Sequence, residues 1–310
     1  MKRPAAYRSL LRNGELARRA AAARGRLHAC DLCGRLCGAD RVEEPLAGHC
    51  RTGSRAVVAS WGPHHGEEEP IRGSRGSGTV FFSYCNLACE FCQNFELSRL
   101  GEGRGATPMA LSAIFLSLQE AGCHNLNLVS PTHVLPQVLE ALHLAAGAGL
   151  SLPIVWNSGG YDSPGALELL DGVVDVYMPD MKYGDAATAE RLSGIPDYPA
   201  VNRAAVKEMH RQVGDLLLDG EGVAVRGLLV RHLVLPGGLA GSESVFRFLA
   251  EEVSRDTWLN VMDQYHPAFR AHLHPPLDRR PTPEELAEAN ALAARYGLTR
   301  PDRSRRAAAR

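Results

Sequence analysis

From residue 78 onward, short apolar runs alternate with stretches of helical periodicity, and this alternation constrains the fold more than any other feature of the chain. Six runs read as strands: TVFFSY (79 to 84), NLNLV (125 to 129), PIVWN (153 to 157), VDVYM (174 to 178), GLLVRHLVL (227 to 235) and WLNVM (258 to 262). Each is largely apolar on both faces, as buried parallel strands are. Helices fit the gaps. Thr107 and Pro108 make an N-cap and first-turn pair before MALSAIFLSLQEA, and Gly122 closes that segment. Further helices are expected at 135 to 147, 164 to 170, 200 to 213, 242 to 253 and 283 to 296. The pattern is that of parallel strands joined by crossover helices, an α/β fold. Six β/α units are fewer than the eight of a closed barrel, so a partial (β/α)6 barrel is expected first and an open doubly wound sheet second.

In such folds reactive groups gather at the carboxyl ends of the strands. The polar outliers lie there. After the first strand come Cys85, Cys89 and Cys92; after the second, Ser130, Thr132 and His133; after the third, Asn157 to Gly160. After the fourth come Asp180 and Lys182, and after the sixth, Asp263 to His266; Arg231 and His232 lie within the fifth.

The 310 residues permit one large core plus a small module. Lys and Arg total 34 against 35 Asp and Glu, which argues against a primarily nucleic-acid-binding role. No apolar run is long enough to cross a bilayer and the N-terminus lacks a secretory h-region, so a cytoplasmic protein without membrane partners is expected. Residues 2 to 26 are rich in Arg, superficially like a transit peptide, but are read as a solvated basic helix with a narrow stripe of Leu10, Leu11 and Leu16. The expected organisation is a basic helix at 1–28, a four-cysteine metal-binding module at 29–70, the barrel at 71–298 and a disordered basic tail at 299–310.

Seven of the eight cysteines fall into two groups, a spacing that points to metal rather than disulfides in a reducing compartment. Cys123 stands alone and reads as a small buried residue. Cys85-x3-Cys89-x2-Cys92 offers three thiolates, which leave one iron of a four-iron cluster without a protein ligand. A structural zinc would want a fourth ligand, for which His64 or His65 stands available. Cys30-x2-Cys33-x3-Cys37-x12-Cys50 has four thiols, enough to saturate either a zinc ion or a second 4Fe-4S cluster.

The stretch CNLACEFC, with Phe91 before the last cysteine, resembles the radical S-adenosylmethionine (SAM) signature. Cys30 to about Gly297 resembles the pyruvate formate-lyase activating enzyme-like family that carries an N-terminal cysteine group. HGEEEP (65 to 70), FFSYCNLACEFCQN (81 to 94), LVSPTH (128 to 133), NSGGYD (157 to 162), VDVYMPDMKY (174 to 183), RHLVLPG (231 to 237) and MDQYHP (262 to 267) carry the likeness. It implies a 4Fe-4S cluster on Cys85, Cys89 and Cys92, reductive cleavage of SAM to a 5′-deoxyadenosyl radical, and hydrogen abstraction from a substrate. An external one-electron reductant of flavodoxin or ferredoxin type is implied as well.

By position in the family motifs, Phe91 and Asn94 stand near the cofactor, Asp180 and Lys182 occupy a DxK motif that positions SAM, and His266 stands near SAM and substrate. The family's GGE-type loop after the second strand is here Ser130-Pro131-Thr132-His133, whose hydroxyls can accept from the SAM ammonium. Asn157 joins these cofactor candidates, and Arg231 can grip a carboxylate through two donors. His232, facing the other way along its strand, reads as a core histidine. Three functions compete: activation of a glycyl radical protein, radical modification of a small molecule, peptide or RNA, and a zinc-binding adaptor without catalysis.

Overall fold

The computed structural model describes residues 4–298; the expected basic tail at 299–310 lies outside the described residues. Nine strands are found among them: β1 Ala56–His64, β2 Ser77–Phe82, β3 Arg104–Ala106, β4 Leu126–Val129, β5 Ile154–Asn157, β6 Val176–Tyr177, β7 Leu217–Leu218, β8 Ala224–Leu233 and β9 Trp258–Met262. β2, β4, β5, β6, β8 and β9 pair in parallel and in sequence order. The fold is α/β, with six parallel strands in the order of a partial barrel. Register aligns their carboxyl ends: Phe81, Val129 and Asn157 stand abreast, as do Arg231 and Asn260.

The free edge of β2 is taken by β1, which pairs antiparallel to it and in turn to β3. β1 therefore belongs to the sheet rather than to a separate cysteine-rich module. Its outer half is exposed, with Trp61 53% accessible, so it lacks the two-sided apolar pattern of the six inner strands.

The crossover helices form for local reasons. The Thr107 hydroxyl accepts from the Ala110 amide at 3.2 Å, Pro108 suits the first turn, and Leu111, Phe115 and Leu118 bury one face. Gly122, at φ 80°, stops the helix in a conformation that side chains resist. A further helix, Ala186–Ser193, is bracketed by an Asp185 cap and by Gly194. It is too short and too polar for its periodicity to stand out in the sequence.

The N-terminal segment departs from expectation. It forms two helices, Tyr7–Arg12 and Glu15–Gly25, broken at Gly14 (φ 78°). Tyr7, Leu16, Ala20 and Ala23 are buried rather than solvated. The alanines let the second helix approach closely, so a narrow stripe is enough. The Tyr7 hydroxyl donates to the Leu152 carbonyl at 3.1 Å, and the Ala6 amide to Asp175 Oδ1 at 2.9 Å. No helix among the described residues is long and apolar enough to cross a membrane.

Candidate functional site

At the carboxyl ends of the parallel strands a cavity of about 220 Å³ is lined by Cys85, Cys89, Phe91, Cys92, Asn94, Ser130, Asn157, Asp180, Lys182 and Arg231. Ten of the sequence candidates thus share one space. They arrive from loops after β2, β4 and β6, from the last residue of β5 and from β8 itself. Tyr84 (φ 64°) and Ser130 (φ 56°) adopt left-handed backbone just beyond β2 and β4, turning the chain from strand into cavity wall.

The cysteine loop is held through its sulfurs. The Leu87 amide donates to Cys85 Sγ at 3.4 Å and the Ser193 hydroxyl to Cys89 Sγ at 3.1 Å; Cys92 Sγ lies 3.0 Å from Ser98 Oγ. Gly159 lets the loop pack closely, since a Cβ there would meet Leu87 Cδ1 at 2.6 Å. Burial pushes the Cys85 thiol up to about 12 and raises Cys92 as well. Burial thus disfavours the thiolates of Cys85 and Cys92, and coordination to a metal would hold them in that form.

Phe91 is buried edge-on against Tyr183 and Tyr265, with centroids 6.3 and 5.9 Å away, so it packs the loop onto the barrel as well as lining the cavity. Lys182 Nζ lies 2.5 Å from Asp180 Oδ2. Burial alone would lower the lysine's pKa, but the Asp180 carboxylate, helped by nearby Cys89, outweighs it and holds the ammonium charged. The Tyr198 hydroxyl accepts from the Lys182 amide at 3.0 Å and lies 2.9 Å from the Gly159 carbonyl, locking two of the strand-end loops together.

Other candidates stand elsewhere. Thr132 donates to Asp162 Oδ1 at 2.8 Å, and Ser158 and Trp156 donate to the same carboxylate, so the Thr132 hydroxyl is spent inside the core. His133 is buried with Nε2 2.9 Å from the Ser83 carbonyl, and it lines the cavity of the N-terminal cysteines instead. Burial and the nearby Arg41 guanidinium push its pKa down to about 4. His266 is exposed; its Nδ1 lies 2.6 Å from Gln93 Nε2, and Gln93 and Gln264 line the cavity in its place.

The Arg231 guanidinium grips a carboxylate, but one of its own chain. Its Nε donates to Glu68 Oε1 at 2.7 Å and a terminal nitrogen to Glu68 Oε2 at 2.6 Å, with Glu67 and Asn157 also bound. Asn260 on β9 donates to Glu68 Oε1 at 2.7 Å. Glu67 and Glu68 lie between β1 and β2, so this cluster ties the first sheet strands to the last and bridges the open side of the barrel. Burial would raise Glu67, but Arg231 and His64 prevail and hold its pKa at about 2. The glutamates were among the quoted HGEEEP residues, yet an acidic run says nothing of a partner 163 residues away.

His64 pairs with Glu67 at 3.5 Å, and neither it nor His65 lines the cavity, so neither histidine stands as the fourth ligand a zinc on Cys85, Cys89 and Cys92 would want. Among the described residues, no three or more His, Cys, Asp or Glu side chains converge as the shell of a metal ion. His232 has Nδ1 2.7 Å from the Met181 carbonyl and Nε2 2.9 Å from Ser242 Oγ, a satisfied core histidine. Cys123 is buried.

No protein-family model matches the chain. It is 32% identical over 279 residues to an uncharacterized protein of Methanocaldococcus jannaschii, MJ0674, a match covering 87% of this chain and 75% of that one. Among solved structures it is similar to a radical SAM methyltransferase from Sphaerobacter thermophilus, at 17% identity and a TM-score of 0.48, covering 71% of this chain and 64%, less than two thirds, of that one. It is also similar to TYW1 with a lysine-pyruvate adduct bound, at 12% identity and a TM-score of 0.36, covering 55% and 60% of the two chains.

Proposed function

The chain belongs to the family of this archaeal protein, and from that premise we propose that it is a radical SAM enzyme whose 4Fe-4S cluster is held by Cys85, Cys89 and Cys92. One observation carries the reading: three thiols and a charged Asp180–Lys182 pair face one cavity at the carboxyl ends of a parallel sheet. The residues fit the group. Three sulfurs leave one iron free for SAM, and the contacts from the Leu87 amide, Ser98 and Ser193 are of the kind that tune cluster sulfurs.

When bound, the cluster would supply one electron, delivered by an external flavodoxin- or ferredoxin-type reductant, for cleavage of SAM to a 5′-deoxyadenosyl radical that abstracts hydrogen from a substrate. The chain's own residues bind and orient. Lys182, kept cationic by Asp180, offers its remaining ammonium protons to the SAM carboxylate. Ser130 and Asn157 present oxygens to the SAM ammonium, with Asn157 Oδ1 already held by Arg231. Phe82, Leu87, Leu233 and Met262 supply an apolar lining that limits water at the reacting atoms.

The finer reading is an activating enzyme whose hydrogen donor is a glycine of a partner protein, supported by the likeness of the motifs. Its rival is a small molecule, peptide or RNA donor. The test is anaerobic reconstitution with iron, sulfide, SAM and dithionite. Formation of 5′-deoxyadenosine and a change in the reduced-cluster EPR spectrum on adding SAM are expected. About two zinc and no iron per chain would overturn the proposal in favour of a zinc adaptor. Deuterium transfer from a labelled glycyl partner into deoxyadenosine would separate the activating enzyme from its rival.

A further inference from the structure

Cys30, Cys33, Cys37 and Cys50 line a second cavity together with Arg41 and Asn86. Between His28 and Ala56 the chain forms no helix and no paired strand beyond a single bridge of Cys33 to Asp162. Such a long irregular segment inside a compact fold needs ties other than a backbone ladder. Part of the tie is Arg41, which is wholly buried. Its Nε donates to the Thr52 carbonyl at 2.5 Å, one terminal nitrogen to the His133 carbonyl at 2.6 Å, and the other to Cys30 Sγ at 3.4 Å.

Those partners are two neutral carbonyls and a sulfur. Among the described residues no carboxylate pairs with this guanidinium, in contrast to Arg231 with its two glutamates. A guanidinium does not deprotonate in a protein, and a buried charge without a counter-charge is costly. The nearest group that could supply that counter-charge is Cys30 Sγ, which a bound metal would hold as a thiolate together with the other three cysteines of the cavity. Four thiolates in one cavity repel one another unless a cation binds them. With a zinc ion or an oxidised 4Fe-4S core, each carrying two positive charges, four thiolates leave a net charge of minus two, which one buried guanidinium reduces to minus one.

We propose that Cys30, Cys33, Cys37 and Cys50 bind a metal centre as thiolates, an iron-sulfur cluster or a zinc ion, with buried Arg41 as its counter-cation. The sulfurs line the cavity without converging on one point. Binding either centre would rearrange the loop, since the cavity between the sulfurs holds only about 10 Å³. The centre abuts the barrel mouth. Asn86, the neighbour of Cys85, lines this cavity, and Arg35 Nε donates to the Asn86 carbonyl at 2.6 Å. Arg41 is thus a positioning and charge-balancing residue for a site separate from the proposed SAM chemistry.

The test uses the full chain with Cys85, Cys89 and Cys92 all replaced by Ser, so its outcome does not depend on the first site. This protein is loaded anaerobically with iron and sulfide in one arm and with zinc in the other. About four iron with a thiolate-to-iron absorption band, or about one zinc, retained per chain after desalting supports the proposal. No retained metal in either arm overturns it. In the same background Arg41→Gln is expected to lower metal retention at least tenfold and Arg41→Lys to recover part of it; unchanged retention in Arg41→Gln overturns the counter-cation role. Should Arg41→Gln fail to fold, the protein with its native Arg41 supplies the readout. Bound metal should protect Cys30, Cys33, Cys37 and Cys50 from iodoacetamide until a chelator is added, and free alkylation of the loaded protein counts against the site.

Discussion

Two cysteine cavities lie side by side in this molecule, and they differ in what surrounds the sulfur. At the barrel mouth three thiols sit on a loop pinned to strand ends, beside a Lys182–Asp180 pair and about 220 Å³ of space. In the N-terminal loop four thiols line a small cavity whose wall includes the Arg41 guanidinium, which has no carboxylate partner among the described residues. Three ligands leave a coordination position for a substrate; four close it. On the two proposals made above, chemistry falls to the first cavity and a closed metal centre to the second.

The sharpest way to break this contrast is to remove one thiol from each cavity. Cys89→Ala is expected to lower SAM cleavage by at least about a thousandfold, more than about 4 kcal/mol of activation free energy. Cys33→Ala should lower it by less than about tenfold. Deoxyadenosine assays with parallel iron analysis check both, and equal losses would erase the distinction.

The two buried arginines extend the comparison to stability. Arg231 is balanced by Glu67 and Glu68 whatever metal is present, so Arg231→Met strips the guanidinium from two buried carboxylates, leaving Glu67 with His64 and Glu68 with Asn260, and should cost about 3 to 5 kcal/mol in loaded and metal-free protein alike. Denaturant titration of both forms measures this. A cost that appears only in loaded protein would show that the clamp serves the cluster rather than the barrel.

Residues in these two regions were not equally legible. The six inner strands stand out because burial on both faces writes them as apolar runs, and their order makes the partial barrel readable. β1 did not stand out, since it is half exposed and carries Pro63. Cys85, Cys89, Cys92, Asp180 and Lys182 are legible because their spacing is local. Thr132, His133 and His266 sit at strand ends as expected, yet nearness to a strand end does not set where a side chain points: Thr132 turns to Asp162 and His266 to Gln93. The Glu68–Arg231–Asn260 cluster was beyond reach because its members meet only through tertiary closure.

Each region also holds a buried histidine, His133 beside the N-terminal cysteines and His232 under the barrel mouth, and burial pushes both down to about 4. A base whose folded pKa lies below its unfolded value of about 6.5 contributes stability that is present above pH 6.5 and lost as pH falls toward 4. Between pH 7 and pH 5 each should cost about 2 kcal/mol. His232→Gln should therefore flatten the pH dependence of unfolding by about that amount, and an unchanged slope would remove this histidine from the account.

Within the barrel mouth itself, Lys182→Met should weaken SAM binding by roughly 10- to 100-fold, the worth of a charged hydrogen bond, with iron content unchanged. Equilibrium dialysis with labelled SAM measures it. If iron falls in step with affinity, the lysine holds the thiol loop rather than the cofactor.

His266 tests how far the cavity's influence extends. Its ring is exposed and meets the site only through Gln93, which also donates to the Gln264 carbonyl at 3.1 Å. His266→Ala removes one exposed hydrogen bond of a residue that keeps a second anchor, which is worth at most about 1 kcal/mol, or roughly fivefold in SAM affinity. A loss of a hundredfold would instead mean that the histidine turns inward when SAM binds. It would also make the rim, including Gln93 and Gln264, a moving part of the site rather than a fixed border.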